Sequence, residues 1–189
     1  RDDDLVVGTH GRGAYVVDDI RPLREAAADS TLASAILRVL PMAPAQKYAA
    51  AEAVGYRSVG HAMMFGEMRP YGALINYWIG SEGAQRGAQG EARRARIDIL
   101  DVDGGSMRIL DGTTAPGLNR IVWDLRREGE NGPGSEVLSG TYTVRVTLGD
   151  AVSTGELTVL EDTREQVPVA RRIAKLQALE RARDMTTSL

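Results

Sequence analysis

The sequence contains no cysteine and only two histidines, His10 and His61. Without thiols there is neither a disulfide framework nor a thiolate nucleophile, and two histidines leave little material for a zinc or histidine-based centre. Aromatic residues make up 5% of the chain, with one Phe and two Trp among them, so each large ring has to be accounted for individually. No apolar run approaches the roughly 20 residues that a bilayer-spanning helix needs. Neither sign of charge dominates: 23 Lys and Arg stand against 26 Asp and Glu, a net charge of −3. No basic field therefore points to nucleic acid or to an anionic membrane, and neither is expected as a partner. The chain opens on Arg1 rather than Met. We expect the natural N-terminus to lie upstream, so the absence of a visible signal peptide says nothing about export.

What is present is the composition of a globular chain, 43% hydrophobic and 26% charged over 189 residues, enough for one domain with appendages or for two small domains. The opening "DLVVGTHGRGAYVVDD" places two apolar runs around a glycine-rich stretch and predicts a hairpin over 1–20, with strands near 5–9 and 14–18. In "PLREAAADSTLASAILRVL", Leu23, Ala27, Ile36 and Leu37 predict one or two short helical turns. Pro41 and Pro44 end them and open an extended connector to residue 72. The stretch 80–94, "GSEGAQRGAQGEARR", is polar and unpatterned and reads as a flexible loop.

Between 73 and 162 the pattern changes to a period of two. Ile75, Tyr77 and Ile79 share one strand face, Ile97 and Ile99 another, and Ile121, Trp123 and Leu125 a third. Tyr142, Val144, Val146 and Leu148 alternate with Thr141, Thr143, Arg145 and Thr147, and after a "GD" turn Leu157 and Val159 point inward. Five or six short strands with regular turns describe an antiparallel β-sandwich. The final stretch, 163–189, reads as a helix with Val169, Ile173, Leu176 and Leu179 on one apolar stripe that needs a partner surface.

"DLVVGTHGRGAYVVDDIRPLRE" resembles the last hairpin of the large bacterial β-propeller proteins described as BNR-repeat, sortilin-like or glycosyl-hydrolase-like. The pattern "GLNRIVWDLR…LSGTYTVRV", carried by Gly117, Asn119, Val122, Trp123, Asp124, Gly140, Tyr142 and Val144 to Val146, is similar to the immunoglobulin-like domain of flagellar hook-capping proteins. The resemblance implies a mainly β chain: an immunoglobulin-like sandwich, preceded by a propeller-derived hairpin and followed by a C-terminal helix. It further implies a tail of a larger, secreted or periplasmic protein, with the parent propeller as partner.

The candidate sites each carry a plain structural alternative. "GTHGRG" has the glycines of a phosphate loop, but such a loop opens a helix and here a second strand follows. Gly11 and Gly13 are expected to supply positive φ in the turn, and His10 and Arg12 to face nearby carboxylates, solvent or a ligand. "DVDGG" at 101–105 lacks the spaced ligands of a calcium loop and reads as a hairpin turn. The acidic residues Asp2, Asp3, Asp4, Asp18 and Asp19 are neighbours in sequence, which points them to opposite strand faces rather than into a glycosidase pair. Trp123 reads as core, and Tyr142 as a tyrosine whose hydroxyl bonds backbone. Trp78 and Tyr71 are weighed between a sugar-stacking platform and burial against the connector. No nucleophile–base set stands out, and no catalytic residue, metal or cofactor is assigned. The leading expectation is a non-catalytic accessory domain that self-associates as an isolated chain; the alternatives are a carbohydrate-binding module and a fragment of a glycoside hydrolase.

Overall fold

The computed structural model describes residues 3–11, 13–48, 69–89, 94–129, 132–164 and 167–187. Strands β1 (Leu5–Thr9) and β2 (Gly13–Val17) form the expected hairpin, with Leu5 opposite Val17 and Val6 opposite Val16. Helix α1 (Arg21–Ala28) and a single 3₁₀ turn (Leu32–Ser34) lead to β3 (Leu37–Val39) and β4 (Ala45–Gln46). Then come β5 (Ala73–Ile79), α2 (Ser81–Gln89), β6 (Ala95–Leu100), β7 (Ser106–Gly112) and β8 (Gly117–Trp123). The chain closes with β9 (Arg126–Gly129), β10 (Gly132–Glu136), β11 (Gly140–Leu148), β12 (Ala151–Leu160) and α3 (Val169–Thr187). Among the described residues no helix is long and apolar enough to cross a membrane.

The molecule is mainly β and sandwich-like. One sheet has the order β3-β5-β8 and the other β4-β12-β11-β6-β7. Alternation decides the core: Ile75, Tyr77 and Ile79 from the first sheet meet Ile97, Ile99, Val144, Val146, Leu157 and Val159 from the second in one cluster. Consecutive strands β5 to β8 and then β11 and β12 divide between the sheets in the manner of an immunoglobulin-type Greek key. Trp123 is 0% exposed, with its indole N–H on the Arg126 carbonyl at 2.9 Å and the Tyr142 ring edge-on at 5.4 Å. The Tyr142 hydroxyl donates to the Leu138 carbonyl at 2.7 Å, the structural bond expected for it.

Several sequence expectations are corrected. The stretch 80–94 is no flexible loop where it is described: 81–89 form α2, because Gly83 lets the helix backbone seat on the Ile36 carbonyl and Ala84 packs on the core. Ile36 and Leu37 do not continue a helix; Leu37 opens β3, which pairs with β5 from Leu37–Ile79 to Val39–Tyr77. Residues within the expected connector therefore supply strands to both sheets. The sheets are not wholly antiparallel, since β4 runs parallel to β12. Leu125 is buried but not in line with Ile121 and Trp123, because β8 ends at Trp123 and Leu125 turns the chain at φ +58. The β9–β10 hairpin went unread, its strands "RREG" and "GPGSE" being too polar and glycine-rich to alternate. Of the two glycines assigned to the first turn, Gly11 takes positive φ at +98, whereas Gly13 is a paired residue of β2. His61 and most of the connector, residues 49–68, lie outside the described residues.

Candidate functional site

A cleft of about 580 Å³ lies between α3 and the β9–β10 hairpin, floored near the end of β12. Two chain features place it there. After β12, Asp162 accepts the Arg164 backbone N–H at 2.9 Å and its side-chain Nη2 at 2.7 Å, which turns the chain toward α3. The helix is then held by Arg127, whose Nη1 meets Glu180 at 2.6 Å, and by an ion pair between Arg172 and Glu161. Of the predicted apolar stripe only Leu176 is buried; Val169, Ile173 and Leu179 are 65%, 39% and 51% exposed. The partner surface of the stripe is thus incomplete, and Leu179 stands at the cleft wall.

A polar network crosses the cleft floor. Lys47 Nζ lies 3.3 Å from Glu136 and 3.6 Å from Glu161, and donates to the Val137 carbonyl at 2.9 Å. Tyr71 donates to the other Glu136 oxygen at 2.6 Å and meets Tyr48 edge-on at 5.0 Å. Burial, reinforced by the Glu136 carboxylate, pushes the Tyr71 hydroxyl well above the ordinary phenol range. Two carboxylates share this floor, but a lysine ammonium bridges them, so the group is an ion-pair network rather than a proton donor facing a base. Apart from Tyr71, sequence reasoning missed it because its members come from the end of β10, from α3 and from the residues just after β4 and β12, and they form no local motif.

The candidate residues do not converge. Tyr71 precedes β5 and Trp78 stands near its far end, so at about 3.3 Å per residue they are on the order of 20 Å apart and form no common stacking platform. Trp78 is half-buried, its backbone paired with Arg38 on β3 and Leu118 on β8, and its indole nitrogen is buried without a hydrogen-bond partner among the described residues. Its outward neighbours Leu74 and Asn76 are buried, which makes this face an internal one. His10 is exposed at the tip of the first hairpin, far in sequence from either ring, and Arg12 lies outside the described residues. At 101–105 Asp101 spends one oxygen on the backbone N–H groups of Asp103 (3.0 Å) and Gly105 (2.7 Å), the bonding of a turn. Asp3 and Asp19 are engaged by Arg24 and Arg21, and Asp4 accepts the Asp19 backbone N–H at 2.8 Å. Among the described residues no metal-ligand cluster of His, Asp and Glu is found.

The fold and these contacts define a β-sandwich with an appended hairpin and helix. Comparison with protein-family models, with curated proteins and with solved structures finds no match.

Proposed function

We propose that the chain is a non-catalytic accessory and interaction domain, an immunoglobulin-like sandwich from the C-terminal part of a larger β-propeller protein. The observation that carries this reading is the first hairpin. Leu5, Val6, Val7, Tyr15, Val16 and Val17 are all between 41% and 65% exposed, and they cover both of its faces. A surface hairpin alternates apolar with polar residues; strands apolar on both faces belong in a sheet covered on both sides. A propeller blade, packed between two neighbouring blades, provides that cover. The base of the hairpin is meanwhile fixed to the sandwich: Arg120 on β8 donates to the Asp18 and Asp19 carbonyls, both at 2.7 Å, and to Asn76 Oδ1, also at 2.7 Å. A hairpin held at its root and bare along its length is shaped to complete a neighbouring domain.

An immunoblot of source cells, followed by hydrogen exchange on the polypeptide it detects, tests this. The expected product is a chain much larger than 20.4 kDa, in which amides 5–9 and 13–17 are protected while those of the isolated chain exchange rapidly. A product of 20.4 kDa alone, or equal exchange in both forms, overturns the reading.

A further inference from the structure

The cleft beside α3 has a charge that its own network does not use. Among the described residues it is lined by five cations, Lys47, Arg126, Arg171, Arg172 and Lys175, against three carboxylates, Glu136, Glu161 and Asp162. Each carboxylate is already committed: Glu136 and Glu161 to Lys47, Glu161 also to Arg172, and Asp162 to Arg164. Arg126 rests on the Gly134 carbonyl at 3.2 Å, and among the described residues neither it, Arg171 nor Lys175 has a carboxylate partner. The excess is local, because the whole chain carries −3. Between these cations the wall is apolar, formed by Val137, Leu138, Leu176 and Leu179.

We infer that this cleft binds an acidic peptide segment that carries apolar side chains between its carboxylates. Arg171 and Lys175 are one helical turn apart on the same face of α3, and Arg126 stands across the cleft on β9. Three cations on two walls therefore select a ligand with separated negative charges rather than one compact anion. The apolar wall between them selects a side chain such as Leu, which distinguishes an acidic peptide from a sulfated sugar of equal charge. Arginine clusters recognise acidic motifs in this way, through charge-assisted hydrogen bonds at a partly desolvated surface. Lys47 and Arg172 do not bind the segment; they hold the floor carboxylates so that these do not repel it.

The test is fluorescence anisotropy with a labelled decapeptide alternating Glu and Leu, titrated with the full chain. Three controls accompany it: the same peptide with Gln for Glu, one with Ser for Leu, and a sulfated oligosaccharide of matched charge. The expected result is saturable binding that falls at least tenfold with Gln or with Ser, and at least tenfold for the R171E/K175E double variant. Both side chains are exposed, so the variant should keep the wild-type melting temperature. Binding to the sulfated sugar as tight as to the Glu–Leu peptide, unchanged affinity of the double variant, or no saturable peptide binding would overturn the inference. None of these outcomes depends on whether the first hairpin belongs to a propeller.

Discussion

Trp123 is the largest fully buried side chain among the described residues. It closes β8, fills the space between the two sheets, and spends its one polar atom on the Arg126 carbonyl. Replacing it with Ala removes the ring contact with Tyr142 and opens a cavity that the flanking strands cannot collapse into. The expected cost is about 3–5 kcal/mol, read as a shift of the urea midpoint; a melt within a degree of wild type would contradict the packing. Tyr142→Phe keeps the ring and removes only the bond to Leu138, for an expected loss of about 1 kcal/mol. The tyrosines also report on pH. Burial raises the hydroxyls of Tyr77 and Tyr142 above their ordinary value of 10.0, as it does for Tyr71. A raised value in the folded state means that the neutral phenol stabilises the fold below the unfolded value and that this contribution is lost as pH rises past it. Spectrophotometric titration should therefore show these tyrosines ionising above pH 10, with alkaline unfolding accompanying the later steps.

At the scale of elements, two joints invite direct tests. Arg120 ties the root of the β1–β2 hairpin to the face of the three-stranded sheet that carries Asn76 through three bonds, two of them to backbone carbonyls. Arg120→Met keeps the aliphatic stem and removes the fork. Hydrogen exchange at residues 5–19 should accelerate while β6 and β11 keep their protection; uniform loss of protection would mean that the fork supports the whole sandwich. The second joint is Gly83 in α2. In an open helix Gly→Ala gains roughly 1 kcal/mol. Here the added Cβ would press on the Ile36 carbonyl and approach Ile79, so the sign reverses and Gly83→Ala should lower the denaturant midpoint.

The whole molecule carries an imbalance between its two ends. The strands of the sandwich pair in sheets of three and five around a buried core, whereas the hairpin exposes apolar residues on both faces and, among the described residues, no third strand covers either of its edges. Such edges are templates for pairing, and a two-stranded ribbon is marginal in water by itself. The isolated chain is expected to self-associate, most simply as a two-fold dimer through the hairpin or α3. Light scattering over a concentration series measures this. Val6 and Val16 face each other across the hairpin and are 65% and 60% exposed, so the V6K/V16K variant should shift the chain toward monomer without lowering its melting temperature. A wild-type chain that stays monomeric at high concentration would mean that the hairpin needs no partner.

The period-two stretches after residue 94 were legible in the sequence because each strand there buries one face, so alternation records the pleat directly. Ile97 with Ile99, Tyr142 with Val144 and Val146, and Leu157 with Val159 all lie inward as the pattern predicts. The first hairpin was legible for a different local reason, two β-branched apolar runs around a glycine-rich turn in which Gly11 takes positive φ. Other features depended on contacts between segments distant in sequence. Leu37–Val39 is a strand because β5 offers it an edge, and α2 is a helix because Gly83 and Ala84 find a seat on Ile36 and the core. Trp78 and Tyr71 could be paired on paper, but the length of β5 separates them. The cleft shows the division most clearly: Lys47 just after β4, Glu161 just after β12, Glu136 at the end of β10 and Arg172 in α3 meet only because β4 pairs with β12 and because the β9–β10 hairpin and α3 fold against the ends of those strands. Strand faces are set by neighbours two residues apart, which a sequence displays; this ion-pair network joins Lys47 to carboxylates at 136 and 161, which only the folded chain brings together.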